Sequence, residues 1–199
     1  MQPPQLMKVA VDLDDTLWDF FGAVANVPGC PPITREQHTR WETLPDLLGG
    51  VRRMKEIFNG AFTAEALLEQ GLFEHAEEAF AQLQEHGVKL TVLTHRPAWS
   101  ITAARKALAE LGLVDVRVVG CRSDRKVAYC IEHGIDVLVD DHPLTQVEAV
   151  AAGIKVYSFR YEYNRGAKGV RFVKSWSELA SLLEWRQRRL PAAAVALAS

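Results

Sequence analysis

The chain has 199 residues, of which 48% are hydrophobic, which is enough for one domain with a small inserted subdomain and excludes a disordered protein. Its formal net charge of −2 provides no basic field to attract a polyanion, so we expect no long nucleic acid among its partners. A small anion is still allowed, because a few local groups are enough to bind it.

The cysteines and the N-terminal segment bear on the compartment. The three cysteines, Cys30, Cys121 and Cys130, form no CxxC pair, so we expect unpaired thiols in a reducing compartment rather than a zinc or redox site. The segment MQPPQLMKVAVDLDD lacks the apolar core of a signal peptide, and no segment reaches the roughly 20 apolar residues of a membrane span. We therefore expect a cytoplasmic protein without membrane contact. Nothing in the sequence indicates an oligomeric state.

Short apolar segments rich in β-branched residues alternate with helical segments along most of the chain. Strands are predicted at 8–12, 89–93, 116–119, 136–140 and 154–158. Helices are predicted between them at 74–86, 99–111, 125–133 and 144–152. Each helix is followed by a glycine that can end it in the left-handed conformation: Gly87, Gly112, Gly134 and Gly153. This order predicts a doubly wound, Rossmann-like α/β domain with a parallel sheet and right-handed crossovers.

The segment 20–73 interrupts this alternation, because no strand is predicted within it. We predict a loop that contains its prolines, followed by helices near 34–48, 51–59 and 63–70. An insertion at this place lies at the carboxyl ends of the strands, where open α/β sheets bind ligands. The predicted organisation is a core domain of residues 1–19 and 74–189, a small helical cap of residues 20–73 inserted after the first strand, and a flexible tail of residues 190–199.

Acidic residues crowd the end of the first predicted strand, in the sequence V-D-L-D-D-T-L. Asp12, Asp14 and Asp15 repel one another unless a cation or a hydrogen-bond network compensates their charge. Asp12 and Asp14 are two positions apart and share a side of an extended backbone, so one can attack a substrate while the other transfers a proton. Taken alone, the cluster is also compatible with aspartates that form a turn or cap a helix.

Polar side chains also follow two other predicted strands. Thr94 and His95 follow the second strand, where a hydroxyl group and the N–H groups of a starting helix suit a phosphate oxygen. Lys126 opens the helix before the fourth strand, and Asp140 and Asp141 end that strand. Carboxylates at neighbouring strand ends are the ligands that Mg²⁺ prefers. Thr94 or Lys126 alone would pass for a surface residue or a helix cap, but the set together predicts a site for Mg²⁺ and phosphate.

This order of motifs, Asp-x-Asp-x-Thr, then Thr, then Lys, then Asp-Asp, resembles the four-motif signature of the haloacid dehalogenase-like superfamily over nearly the whole chain. The resemblance implies a phosphohydrolase in which Asp12 is the nucleophile and a Mg²⁺ ligand. It implies that Asp14 protonates the leaving oxygen, activates water and offers its backbone carbonyl to the metal. An acid at this second position also argues against a dehalogenase, whose chemistry does not need one.

The resemblance also assigns the remaining motif residues. Asp141 is implied to bind the metal directly, because the second member of such an acidic pair is usually the ligand. Asp140 is then expected to support the metal site without direct coordination. Thr94, His95 and Lys126 are implied to hold the phosphoryl group.

Within the superfamily, D-L-D-D-T-L-W-D-F resembles the D-x-D-G-V-L-A-D-F of the 5'(3')-deoxyribonucleotidases and their bacterial and phage relatives. The later segments D-D-H-P, Y-N-R at 163–165 and V-K-S-W-S-E-L resemble their counterparts as well. The resemblance implies a small (deoxy)nucleoside monophosphate as substrate, with Phe20 against the nucleobase. Trp18 and Trp41 are further stacking candidates, although each of these rings could equally pack the cap against the core. One departure is Asp15, where that family has glycine.

Several alternatives stay open. D-L-D-x-T-L-W also resembles the motif of small magnesium-dependent protein or sugar phosphatases, although their caps are too short to match this insertion. A non-catalytic binding module of the same fold is a second alternative. The intact set of Asp12, Asp14, Thr94, Lys126 and Asp141 counts against it. Processing of nucleic-acid ends would require a basic surface that the composition does not supply.

Overall fold

The computed structural model describes residues 6–190, and within them it contains one parallel sheet. Its strands are β1 (Lys8–Val11), β2 (Lys89–Thr94), β3 (Arg117–Gly120), β4 (Val137–Val139), β5 (Lys155–Phe159) and β6 (Val170–Val173). Their order across the sheet is β3-β2-β1-β4-β5-β6, which places β1 between β2 and β4. This is the doubly wound order, and the predicted Rossmann-like α/β fold is confirmed.

Helices connect the strands and flank the sheet. In the described part of the chain they are α1 (Phe20–Asn26), α2 (Leu44–Leu47), α3 (Val51–Ala61), α4 (Ala64–Gln70), α5 (Ala76–Glu85), α6 (Ala98–Glu110), α7 (Lys126–Glu132), α8 (Pro143–Ala151) and α9 (Trp176–Gln187). The predicted helices before and between the later strands are confirmed as α5 to α8. Two of the glycines after them, Gly87 and Gly153, have φ angles of +75° and +79°, as a left-handed helix end requires.

The central strand β1 is buried on both of its faces. Val9 and Val11 belong to one apolar cluster, whereas Ala10 belongs to a second. Side chains alternate between the two faces of a strand, so the two clusters lie on opposite sides of the sheet. This explains why the strands read as continuous apolar segments rather than as alternating ones. The sheet is thereby covered except at its strand ends, where polar side chains can meet.

The segment 20–73, which we call the cap segment, is helical but not divided as predicted. Residues 20–26 form α1 rather than a loop, because Asp19 caps the helix by accepting a hydrogen bond from the Gly22 backbone N–H at 2.7 Å. The predicted helix over 34–48 is also wrong. Its residues form two 3₁₀ turns, Arg35–Gln37 and Trp41–Thr43, and the short α2. Arg40 between the turns is extended, and Pro45 lies where a helix begins. The helices predicted at 51–59 and 63–70 are present as α3 and α4.

The last strand was missing from the sequence prediction. β6 pairs with β5 from Val156↔Val170 to Phe159↔Val173 and forms an edge of the sheet. Of its four residues only Val173 is buried, so the strand carries little of the apolar pattern by which strands are predicted. The predicted tail lies outside the described residues except for Leu190, which packs against the core. Within residues 6–190, no helix has the length and hydropathy to cross a membrane.

Candidate active site

Three aspartates meet where the central strands end. Asp12 directly follows β1, and its backbone N–H donates to the Val139 carbonyl of β4 at 2.8 Å. Asp140 and Asp141 directly follow β4, whose pairing is continued by the Asp140 N–H donating to the carbonyl of Tyr157. The three carboxyl groups are buried, and one oxygen of each lies within 4.8 Å of the other two. The neighbouring positions of β1 and β4 in the sheet thus produce the predicted acidic cluster.

Lys126, the first residue of α7, points into this cluster. Its Nζ lies 2.8 Å from Asp12 Oδ1 and 2.8 Å from Asp140 Oδ2, and its side chain is 3% exposed. Burial lowers the pKa of Lys126, but the two carboxylates outweigh burial and raise it above its ordinary value. Lys126 is therefore a permanent cation that touches both Asp12 and Asp140.

One lysine does not compensate the negative charge of the cluster. Burial, together with the carboxylates of Asp140 and Asp14, raises the pKa of Asp12 to about 7 against the attraction of Lys126. Burial and the carboxylates of Asp12, Asp140 and Asp15 raise the pKa of Asp141 well above its ordinary range. Buried carboxylate oxygens that lack a counter-charge fit a hard divalent cation such as Mg²⁺. The residues that would hold it are Asp12 and Asp141, with Asp140 beside them.

The two members of the acidic pair differ in their surroundings. Asp141 lines a cavity, accepts a 2.6 Å hydrogen bond from the hydroxyl of Tyr163 and a longer one, 3.3 Å, from Thr16. Asp140 does not line the cavity, and its second oxygen accepts the His142 backbone N–H at 2.9 Å. Of the pair Asp140 and Asp141, Asp141 is therefore the member that lines the cavity.

Asp14 is held by an arginine that the sequence analysis did not single out. Arg96 Nη2 and Nε lie 2.8 and 3.0 Å from Asp14 Oδ1, and Nε lies 3.2 Å from Oδ2. The guanidinium group lies 4.3 Å from the ring centre of Trp18 and 5.0 Å from that of Phe62. Trp18 was expected against a nucleobase, but its side chain is fully buried, covers Arg96 and does not line the cavity.

The carboxylate of Asp15 bonds to the cap segment and its carbonyl to Tyr161, rather than to Asp12 or Asp14. Its φ of +53° is left-handed, a conformation that glycine adopts freely and aspartate tolerates, which explains the departure from glycine at this position. Its carboxylate accepts from the Phe21 backbone N–H at 3.0 Å and from Arg35 at 2.8 Å, and Tyr161 donates to its carbonyl. Burial raises the pKa of Asp15 to about 6 although Arg35 opposes this. Asp15 thus anchors the cap segment to the core.

The predicted phosphate-binding residues lie at the end of β2. Thr94 is fully buried, and its hydroxyl accepts the Arg96 backbone N–H at 3.2 Å. It is not among the residues that line the cavity, whereas His95 and Lys126 are. Burial lowers the pKa of His95, and the charge of Lys126 lowers it further, so the imidazole is neutral at pH 7. Of the two side chains at the cavity, only Lys126 supplies a full positive charge to a phosphate.

A cavity of 380 Å³ lies between the strand ends and the cap segment. Carboxylates and Lys126 line it from the core, and apolar side chains line it from the cap segment: Phe20, Trp41, Leu44, Pro45, Met54, Phe58 and Phe62. Phe20 stacks on Phe62 with ring centres 5.3 Å apart and meets the edge of Phe58 at 4.9 Å. Trp41 packs edge-on against His142 at 4.4 Å. Two of the three aromatic residues predicted at the substrate, Phe20 and Trp41, therefore line the cavity.

Three site residues, Arg96, Tyr163 and His38, were given no role from the sequence, although Tyr163 lies in the Y-N-R segment that resembles the deoxyribonucleotidases. Arg96 lies within L-T-H-R-P but reaches Asp14 only through the pairing of β1 with β2. Tyr163 follows β5 and reaches back to Asp141. His38 lines the cavity, packs on Tyr163 with ring centres 4.6 Å apart, and has a buried Nε2 without a hydrogen-bond partner among the described residues. The contacts of all three depend on the tertiary fold.

Comparison with known proteins supports the fold. No protein-family model matches the sequence, and no curated protein matches it. Solved structures do match. A HAD family hydrolase from Deinococcus radiodurans R1, solved with bound phosphate and sodium, is 16% identical, with a TM-score of 0.63 over 94% of this chain and 99% of that one.

Two further structures agree with this. A predicted phosphoglycolate phosphatase from Haemophilus somnus is 15% identical, with a TM-score of 0.59 over 89% of this chain and 98% of that one. A mutant of CbbY from Rhodobacter sphaeroides, in complex with xylulose-(1,5)bisphosphate, is 17% identical, with a TM-score of 0.56 over 88% of this chain and 96% of that one. At such identities the likeness establishes a common fold, that of the HAD-type hydrolases.

Proposed function

We propose that the protein is a Mg²⁺-dependent phosphomonoester hydrolase that acts through an aspartyl-phosphate intermediate on Asp12. The observation that carries this proposal is the convergence of Asp12, Lys126 and Asp141 at one cavity, on a fold shared with hydrolases and phosphatases. One of those proteins holds phosphate and another a sugar bisphosphate. A non-catalytic module would have no need for an intact set of nucleophile, acid and cation.

The chemistry assigns one task to each residue. A carboxylate oxygen of Asp12 forms a bond to phosphorus while the ester oxygen leaves and takes a proton from Asp14. Asp14 then accepts a proton from water as that water attacks the aspartyl phosphate, which releases phosphate and restores Asp12. Lys126 attracts the phosphoryl oxygens and favours the ionised form of Asp12 by direct contact. A bound Mg²⁺ would add charge neutralisation on the phosphoryl group and on the carboxylates of Asp12 and Asp141.

The cavity lining favours a monoester with a flat apolar group. Among the charged side chains that line it, Lys126 is the one cation, so a second phosphate group would meet carboxylates without a partner. Phe20, Phe58 and Phe62 offer apolar surface suited to a ring. Together with the resemblance of the D-L-D-D-T-L-W-D-F segment, this supports a 5'(3')-deoxyribonucleotidase-like activity on nucleoside monophosphates. A sugar phosphate would leave hydroxyl groups against the aromatic wall, and a phosphoprotein would need a more open site.

A substrate screen tests the proposed function. Purified protein with Mg²⁺ is assayed for phosphate release from deoxynucleoside and ribonucleoside monophosphates, sugar phosphates and 4-nitrophenyl phosphate. We expect turnover that chelation abolishes, with deoxynucleoside monophosphates hydrolysed best. An Asp12→Asn variant serves as the control for contaminating phosphatases. Absence of phosphate release from every compound would contradict the hydrolase, whereas turnover of sugar phosphates alone would contradict only the nucleotidase.

A further inference from the structure

Arg96 contacts both carboxylate oxygens of Asp14, the proposed acid–base residue. Two of its nitrogens, Nη2 and Nε, donate to Asp14 Oδ1 at 2.8 and 3.0 Å, whereas Oδ2 receives only the 3.2 Å contact from the shared Nε. The Arg96 side chain has no exposed surface, and that of Asp14 is 22% exposed. Oδ1 of Asp14 is thus fixed by two donors, whereas Oδ2 has one longer contact, and the residue lines the cavity.

Ring contacts and a backbone hydrogen bond hold Arg96 in place. Its guanidinium group is covered by the rings of Trp18 and Phe62, and its backbone N–H donates to Thr94. Phe62 belongs to the cap segment, so the cap contributes one wall of this contact. A guanidinium group stays protonated at all relevant pH values and offers planar, paired donors that a lysine cannot reproduce. Arg96 therefore cannot exchange a proton with Asp14 and can only orient it.

We propose that Arg96 is a positioning residue for proton transfer: it binds Asp14 Oδ1 and leaves Oδ2 to protonate the leaving oxygen and to accept the proton of the attacking water. This inference rests on the proposed hydrolase function. When the ester bond breaks, the proton moves from Oδ2 to the leaving oxygen, and the resulting carboxylate is stabilised by Arg96. When water attacks the aspartyl phosphate, Oδ2 takes up its proton again.

The dependence of the rate on the leaving group tests this role. Three substrates of similar shape are used, 4-nitrophenyl, phenyl and benzyl phosphate, whose leaving oxygens need protonation increasingly in that order. For each, kcat/KM is measured in the wild type, Arg96→Lys, Arg96→Met and Asp14→Asn. General acid catalysis contributes roughly 10²- to 10⁴-fold, and it matters most for the poorest leaving group. We expect the loss of kcat/KM in Arg96→Met to be about tenfold or more larger on benzyl phosphate than on 4-nitrophenyl phosphate. Arg96→Lys should lie between Arg96→Met and the wild type.

A second arginine provides the matched control. Arg105 on α6 donates from Nε and Nη2 to the Val118 carbonyl at 3.2 and 2.8 Å, away from the cavity. Arg105→Lys should lower thermal stability and leave the ratios between the three substrates unchanged. Equal losses on all three substrates in both Arg96 variants would overturn the positioning role and leave the hydrolase intact. A wild-type protein inactive on these three phosphates and on every compound of the substrate screen would overturn the proposed function and this inference with it.

Discussion

The protonation of Asp12 is subject to opposing influences from its surroundings. Burial and its acidic neighbours favour the protonated form, Lys126 favours the ionised form, and the resulting pKa is about 7. A carboxylate in this state is a usable nucleophile near neutral pH and gains from any further positive charge that approaches it. The same conflict means that the ionised Asp12 destabilises the metal-free fold, since an active site is arranged for reaction rather than for stability.

Replacement of Asp12 should separate activity from stability. We expect Asp12→Asn to abolish phosphate release, because an amide cannot attack phosphorus, while the melting temperature in chelator at pH 8 stays at or above that of the wild type. Lys126 keeps Asp140 as a partner in the variant, at 2.8 Å in the wild-type structure. Phosphate release from 4-nitrophenyl phosphate and thermal unfolding check the two halves. Hydrolysis near the wild-type rate would exclude Asp12 as the nucleophile.

The acidic pair should also divide into two distinct roles. We expect Asp141→Ala to raise the Mg²⁺ concentration for half-maximal activity by tenfold or more, because Asp141 faces the cavity. Asp140→Ala should raise it less and should lower stability more, because it leaves the buried Lys126 with one carboxylate fewer. Mg²⁺ titrations of both variants measure the difference. If the Asp140 variant needs the higher Mg²⁺ concentration, the assignment of the direct ligand must be exchanged.

The sequence could predict those site residues that lie close to the end of a strand. Asp12, Asp140 and Lys126 could be placed together because parallel strands end at one edge of the sheet, and the structure joins them at 2.8 Å. Arg96 and Tyr163 could not, because their contacts depend on which strands are neighbours and on side-chain directions. Trp18 was misplaced because an aromatic ring beside an active site has the same sequence signal whether it faces the core or the cavity.

At the level of elements, local signals decided what could be predicted. Strands β1 to β5 and helices α5 to α8 carry their own apolar pattern, and each of these helices is followed by a glycine. The edge strand β6 carries little of that pattern, because only one of its four side chains is buried. Its backbone pairing with β5 holds it in the sheet. The prediction for part of the cap segment was wrong for a related reason. Residues 34–48 are held by the packing of His38 on Tyr163 and by the ion pair of Arg35 with Asp15 rather than by helical periodicity.

The aromatic wall formed by α1 and α3 should determine preference among phosphate esters. We expect Phe20→Leu to lower kcat/KM for a deoxynucleoside monophosphate tenfold to a hundredfold more than for ethyl phosphate, because a stacked base contributes roughly 1 to 3 kcal/mol. Leucine is used because Phe20 also packs on Phe58 and Phe62. The matched control is Phe21→Leu, a buried neighbour on α1 that does not line the cavity. Equal losses on both substrates would assign Phe20 to packing alone.

The loop between α1 and α2 is attached to the core through Arg35. This residue pairs with Asp15 at 2.8 Å and with Asp19, and it lies over the rings of Phe21 and Tyr161. Loss of one partner from a buried pair costs roughly 3–5 kcal/mol, and less is expected here because 31% of the Arg35 side chain is exposed. The attachment is therefore a main stabilising contact of the cap segment.

Arg35→Met should accordingly lower the melting temperature by several degrees at pH 8. The loss should be smaller at pH 5, because the pKa of Asp15 is already raised to about 6 and rises further without Arg35, so a neutral carboxyl needs no counter-charge. The double variant Arg35→Met, Asp15→Asn should regain part of the stability at pH 8. Thermal unfolding at both pH values measures these effects. An equal loss at pH 5 and pH 8 would show that Arg35 acts through packing rather than through charge.

For the whole molecule, the buried carboxyls predict how stability depends on pH. Without metal, Asp12 and Asp15 have a pKa of about 7 and about 6 in the folded chain and 3.8 in the unfolded chain, and the pKa of Asp141 is raised as well. The folded chain then binds more protons between pH 4 and pH 7, so stability falls as pH rises through this range. We expect Mg²⁺ to remove much of this loss at pH 8. Denaturant unfolding with and without Mg²⁺ tests it, and a chelator-independent profile would argue against a metal at the cluster.

The central place of β1 has a consequence for biosynthesis. The strand that leads into Asp12 is translated long before its neighbour β4, although Val9 pairs with Val137 and Asp12 bonds to Val139. Until β4 has been translated, one edge of β1 has no hydrogen-bonding partner and Asp12 has neither Lys126 nor Asp140 beside it. Until then the nascent chain carries an apolar strand with an unpaired edge, which is a target for chaperones, and it acquires the acidic cluster only when β4 is added.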